Sequence, residues 1–172
     1  MQMHEGFFGI FHFSDYTLSF VFWYNLLVEI KTEQSFGVIP IYKDKDNIFF
    51  VCLIRHAQGH WGFPKGHQNL NESEEETAIR EMEEESGIND IEIIGGQSYT
   101  EKYFFEKDGS KHNKSVKYFL GFVSSVSTTT PDHFKKEIPE LKWVIYEEAK
   151  QLITFEEAKK ILDKVFHYIL ND

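Results

Sequence analysis

The stretch from Gly66 to Ile88, GHQNLNESEEETAIREMEEESGI, constrains this chain more than any other. Its core, Arg80-Glu81-Met82-Glu83-Glu84-Glu85-Ser86-Gly87, is too acidic for a buried helix. Read as a helix, it sets Glu81, Glu84 and Glu85 at i, i+3 and i+4, so three carboxylates share one face within a turn. Like charges at that spacing repel one another. Crowded oxygen ligands suit a hard divalent cation, Mg²⁺ or Mn²⁺, whose binding would offset the repulsion. The opposite face carries Ala78, Ile79 and Met82, enough apolar surface to seat the helix on a core. Ser73 followed by Glu76 predicts a capping box, and Gly87 a natural stop. A solvated acidic face is the plainer reading of a glutamate run.

The spacing asks for more than a charge run. Gly66, Glu72, Arg80-Glu81, Glu84-Glu85 and Gly87-Ile88 stand in the order and at the intervals of the Nudix box, and the chain resembles the Nudix hydrolases. The resemblance implies an α/β fold, an α/β/α sandwich around a mixed sheet, and metal-dependent cleavage of a phosphoanhydride. It implies Glu81, Glu84 and Glu85 as catalytic metal ligands, with Glu81 the choice for the general base. Glu72 and Arg80 would pair to tie loop to helix, and Gly66 and Gly87 would serve structure. Glu137, in Glu137-Ile138-Pro139-Glu140, sits where the family often supplies a further metal carboxylate; a plain surface glutamate is the other reading.

Substrate class has to come from outside the box. Trp61-Gly62-Phe63-Pro64-Lys65-Gly66-His67 resembles the segment preceding the box in the bis(5'-nucleosyl)-tetraphosphatase branch. That implies Lys65 and His67 facing a phosphate chain. Tyr99 to Lys117 interleaves Lys102, Lys107, Lys111, Lys114 and Lys117 with Tyr103, Phe104 and Phe105. Aromatics can stack on bases, and lysines meet phosphates as point charges. Tyr103 and Lys114 match the branch's adenine and phosphate contacts; alternating strand residues around a solvated loop are the bland alternative. Arg55 is a weaker phosphate candidate. The expected reaction is hydrolysis of diadenosine tetraphosphate to ATP and AMP. Its rivals are an RNA 5′-pyrophosphohydrolase, a pyrophosphohydrolase of modified nucleotides, and a non-catalytic nucleotide sensor. A sensor would be expected to lack some of the box carboxylates, and all are present.

With 172 residues and a formal net charge of −10, the chain is expected to form one domain with no broad nucleic-acid or anionic-membrane surface. Its one cysteine, Cys52, lies in an apolar run, which fits a buried thiol and a reducing cytoplasm. Leu18 to Val28 is apolar but too short to span a bilayer, and no Lys or Arg precedes Lys31, so a signal peptide's charged start is missing. Residues 1–34 are therefore expected to be an appended segment of unknown role, and residues 35–172 the domain. Oligomeric state stays open.

Periodicity predicts strands at Ser35–Tyr42 and Ile48–Arg55 around a polar turn, then Ile91–Ile94 and Ser98–Glu106 broken by Gly95-Gly96. Asp108–Asn113 and Ser127–Pro131 read as loops, Ser115–Val123 and Leu141–Tyr146 as strands. A closing amphipathic helix carries Phe155, Ala158, Ile161, Leu162, Val165 and Ile169 at helical spacing, with Thr154 and Glu157 as its capping box. His4, His12, His60 and His133 show no metal-ligand spacing and read as incidental.

Overall fold

The structure, a computed structural model, describes residues 30–126 and 129–171. Residues 1–29, and Ser127 and Thr128 of the expected loop, lie outside the described residues. Among those described are strands β1 (Ile30–Lys43), β2 (Phe49–Arg55), β3 (Trp61–Gly62), β4 (Lys65–Gly66), β5 (Ile91–Lys107), β6 (Ser110–Val123) and β7 (Glu140–Val144). The helices are α1 (Glu74–Ser86), α2 (Tyr146–Leu152) and α3 (Glu156–Asn171). All seven strands form one sheet in the order β3-β2-β1-β6-β5, with β4 on β1 and β7 on β2. Only β1 and β6 pair in parallel, so the sheet is mixed.

Helix α1 covers one face through Ala78, Met82, Phe36, Val38, Cys52 and Ile88. Helices α2 and α3 cover the other, where Ile39, Leu53, Phe63 and Leu120 meet Ala149, Ile161, Leu162 and Val165. The result is the α/β/α sandwich expected. Each large aliphatic side chain so buried contributes about 1.5–3 kcal/mol, and the face holding α3 is the more thickly packed.

Several boundaries differ from expectation, each for a physical reason. β1 starts at Ile30 rather than Ser35, because Ile30–Gln34 pair residue for residue with Lys111–Ser115 of β6. After Ile30 those first residues are polar, and the stretch is mostly exposed, so no apolar alternation marks it as strand. β6 correspondingly starts at Ser110; the expected loop Asp108–Asn113 shrinks to a tight turn at Asp108-Gly109, both at positive φ. Gly95-Gly96 does not end a strand: β5 runs through it with a shift in register between Ile93 and Ser98. The short strand β7 ends at Val144, and Tyr146 opens helix α2, which the strand-like composition of Trp143-Val144-Ile145-Tyr146 hid.

The Ser73–Glu76 capping box is present in full, and Gly87 ends α1 in the left-handed region at φ 73°. The Thr154–Glu157 box is not found. Thr154 Oγ1 instead accepts the Trp61 backbone N–H at 2.9 Å, tying α3 to the strand before the box. Cys52 is fully buried. Among the described residues no helix is long and apolar enough to cross a membrane.

Candidate active site

Arg80 organises the acidic helix. Its Nε and one terminal nitrogen take Glu72 as a bidentate pair at 2.7 and 3.1 Å. The other terminal nitrogen meets Glu81 at 2.9 Å and Glu84 at 3.0 Å. Arg80 also donates to the His67 carbonyl at 2.8 Å, so one guanidinium joins the helix, the loop and the residue that follows strand β4. Glu72 accepts further hydrogen bonds from the Asn69 N–H and the Thr77 hydroxyl. The Arg80 hydrogen bonds, with Asn69 behind them, hold the Glu72 carboxyl down at about 2.

Glu81 and Glu85, one turn apart, line a cavity of about 330 Å³ with Glu137, Lys65, His67, Lys114, Ser35, His56 and Phe134. Glu85 Oε2 accepts the Lys65 backbone N–H at 2.8 Å. Burial pushes the Glu85 carboxyl up to about 8, against the pull of Lys65, with Glu81 and Glu137 adding to the rise. Burial also raises Glu81, which Arg80 opposes. Glu84 is turned to Arg80 and does not line the cavity. Glu137 arrives on the loop before β7, held by its carbonyl accepting the Ala57 N–H at 2.8 Å.

Two glycines permit this packing. A Cβ on Gly66 would fall 1.9 Å from a Glu81 carboxylate oxygen, so only a bare backbone lets the helix carboxylate approach β4. A Cβ on Gly87 would strike the Thr129 carbonyl at 2.4 Å. Beside it the Thr130 hydroxyl donates to the Glu85 carbonyl, which seats the segment leading to Glu137 on the end of α1.

The carboxylates offer only oxygen, the donor set of a hard divalent cation. Among the described residues no three His, Cys, Asp or Glu side chains are already gathered at metal-holding distance. Arg80 draws Glu81 and Glu84 to itself instead. Glu85, half-buried beside Glu81 and kept protonated toward neutral pH, is a donor whose ionised form lacks a compensating charge other than Lys65. A cation would supply that charge, so the residues fit the group.

The same cavity places the basic candidates. Lys65 and Lys114 both line it; burial, then the charge of Lys65, lowers the Lys114 ammonium below its ordinary value. Glu33 of β1, which the sequence did not single out, stands beside Lys114 at 3.7 Å and His67 at 4.0 Å, and takes His112 at 2.5 Å. His112 in turn stacks on Phe105. Arg55 lies at the end of β2, 3.4 Å from Glu140, and lines none of these walls.

A second cavity, about 370 Å³, adjoins the first through the shared residues Lys65 and His56. Tyr103, Phe105, Trp61, His60 and Phe155 form its apolar walls. Phe155, expected in the helix core, is 58% exposed and faces this space; His60 lies against its ring and stacks on His56 at 4.5 Å. Burial, with Lys65 and His60 nearby, holds His56 neutral, at about 3. Tyr118, at the floor, donates to the buried Glu101 carboxylate at 3.0 Å. An acidic and basic pocket opening into an aromatic one can hold a charged chain with a flat ring at its end.

A family model described as the NUDIX domain matches residues 31–165. The asymmetrical bis(5'-nucleosyl)-tetraphosphatase of Caenorhabditis elegans is 32% identical over 132 residues, which is 76% of this chain and 92% of that protein. An RNA pyrophosphohydrolase of Nitratiruptor is 29% identical over 125 residues, 70% of this chain and 80% of that one. Among solved structures, a C. elegans Ap4A hydrolase binary complex aligns with a TM-score of 0.69 at 26% identity, covering 81% of this chain and 99% of its own.

Proposed function

The chain belongs to the Nudix hydrolase family, and from that premise we propose that it cleaves dinucleoside polyphosphates, diadenosine tetraphosphate above all, to ATP and AMP. The observation that carries this reading is the pair of joined cavities. One presents Glu81, Glu85, Glu137, Lys65 and Lys114, and the other is a ring-sized apolar slot between Tyr103 and Phe155. A nucleobase in the slot leaves its phosphates to run past Lys65 and Lys114 toward the carboxylates.

Mg²⁺, or Mn²⁺, held by Glu81, Glu84, Glu85 and Glu137 would neutralise phosphate charge and lower the pKa of the attacking water. Glu84 would have to exchange Arg80 for the cation. Lys65, fixed by its backbone bond to Glu85, and Lys114 hold phosphate oxygens, and His67 flanks them. Glu81 accepts the proton of the water as its oxygen bonds to phosphorus, and the bridging P–O bond breaks toward the departing nucleotide. Water thus enters one product only. A buried single thiol suits a reducing compartment, and we place the reaction in the cytoplasm.

The RNA pyrophosphohydrolase similarity favours one rival substrate, a triphosphorylated RNA end. Product analysis in ¹⁸O-labelled water, with Mg²⁺, on diadenosine tetraphosphate, triphosphorylated RNA and dNTPs decides between them. The expected result is ATP plus AMP, with label in one of the two. Two ADP, or preference for RNA, would contradict the reading. Tyr103→Ala should raise KM by the equivalent of about 1–3 kcal/mol with little change in kcat, and Lys114→Met should lower kcat as well.

A further inference from the structure

The first strand lends the cavity a wall that the box motif does not describe. Glu33, Ser35 and Gly37 alternate onto the sheet face that also presents Lys114, Val116 and Tyr118 of β6. Glu33 stands abreast of Lys114, and Gly37 abreast of Lys65 on β4. Ser35 is thereby set between the two lysines. It is 1% exposed and lines the cavity of about 330 Å³. Its Oγ is a buried side-chain oxygen with no hydrogen-bond partner among the described residues.

The large majority of buried hydroxyls in native folds are satisfied, and an exception points to a partner from outside the chain. A serine hydroxyl can donate or accept. In a cavity wall whose flanking strand positions carry Lys65 and Lys114, the partner that fits is an anion, and the hydroxyl meets it as donor. We propose that Ser35 is a phosphate-binding residue, its hydroxyl donating to an oxygen of the polyphosphate chain that runs between Lys65 and Lys114. This inference rests on the reading of those lysines as phosphate contacts. It adds to them a neutral donor whose fixed place on a strand costs little to organise, unlike a long lysine side chain.

The test is calorimetric binding of a methylene-bridged, non-hydrolysable analogue of diadenosine tetraphosphate to the full chain in Mg²⁺. Ser35→Ala should weaken binding about tenfold. Thermal stability of the ligand-free protein should hold or rise, because a buried hydroxyl without a partner has been removed. Ser35→Cys, similar in volume and a weak donor, should fall between the two. Unchanged affinity in Ser35→Ala together with a raised Tm overturns the inference, leaving the hydroxyl to water. Lys114→Met run alongside separates the two readings. Weakened binding there with none in Ser35→Ala overturns the serine's role alone, whereas no loss in either overturns the phosphate site as well.

Discussion

Glu85 and Glu101 are pushed away from their ordinary state by burial, the opposite of the charged hydrogen bonds that hold Glu72 down. Glu85 is half-buried, and only the Lys65 backbone N–H and the Lys65 charge offset the burial of its carboxyl. Glu85→Gln keeps its shape and its acceptor while removing the charge. We expect kcat to fall by at least about a hundredfold, on the scale of losing one electrostatic group at a reacting centre. In metal-free buffer, Tm should rise by a few degrees in the same variant. Near wild-type turnover would remove Glu85 from the site. Glu101 offers a test free of metal. Burial raises its carboxyl, with the Tyr118 hydrogen bond and Lys65 in opposition. A folded-state value above the unfolded one means the stabilising contribution is complete below about pH 4.5 and is lost as pH rises through the folded value. Unfolding in denaturant across pH 4 to 8 should show that decline, and Glu101→Gln should flatten it. An identical slope in the two proteins would contradict the burial argument.

At the scale of elements, α1 was the most legible part of the chain. Its cap, its stop and the apolar face of Ala78 and Met82 stand as residue type and spacing require. β1 was legible only where it is buried, because exposed polar residues carry no alternation to read. That is why Glu33 stayed hidden although it sits beside Lys114, and why Ser35 was seen only as the start of a strand. Phe155 misled for the converse reason. Helical spacing places it with the core residues of α3, but it stands at the exposed start, ahead of the first buried turn. The junction between α1 and the following loop gives a prediction at this scale. Gly87→Ala forces a side chain against the Thr129 carbonyl and strains a left-handed position. Stability should drop by about 1–2 kcal/mol in urea unfolding, and kcat should fall with it, because Glu137 follows on the displaced segment. Wild-type kcat in a destabilised variant would show that the loop carries no part of the chemistry.

For the whole molecule, a net charge of −10 surrounds a local basic wall. Composition conveyed this contrast correctly in total but not in place, since Lys65 and Lys114 come from strands far apart in sequence and meet only through β1. A long polyanion meets the acidic surface as well as the site, whereas a short one meets chiefly the site. Turnover of triphosphorylated RNA should therefore not improve as the chain is lengthened beyond the first nucleotides, and it should gain from added salt when the RNA is long. A kcat/KM that climbs with RNA length at low salt would show a nucleic-acid track on the surface.

The parallel pairing of β1 with β6 also fixes when the enzyme comes into being. Its partners, such as Ile30 and Lys111, are roughly eighty residues apart, a long closure before any contact between them is rewarded. On the ribosome, the acidic helix emerges well before the strand bearing Lys114 has been made. A nascent chain halted ahead of β6 would carry every glutamate of the helix and Lys65, and yet lack Lys114, the other lysine of the basic wall. Activity should thus appear abruptly, late in synthesis, and a chain circularly permuted to bring β6 next to β1 should fold faster than the natural order does.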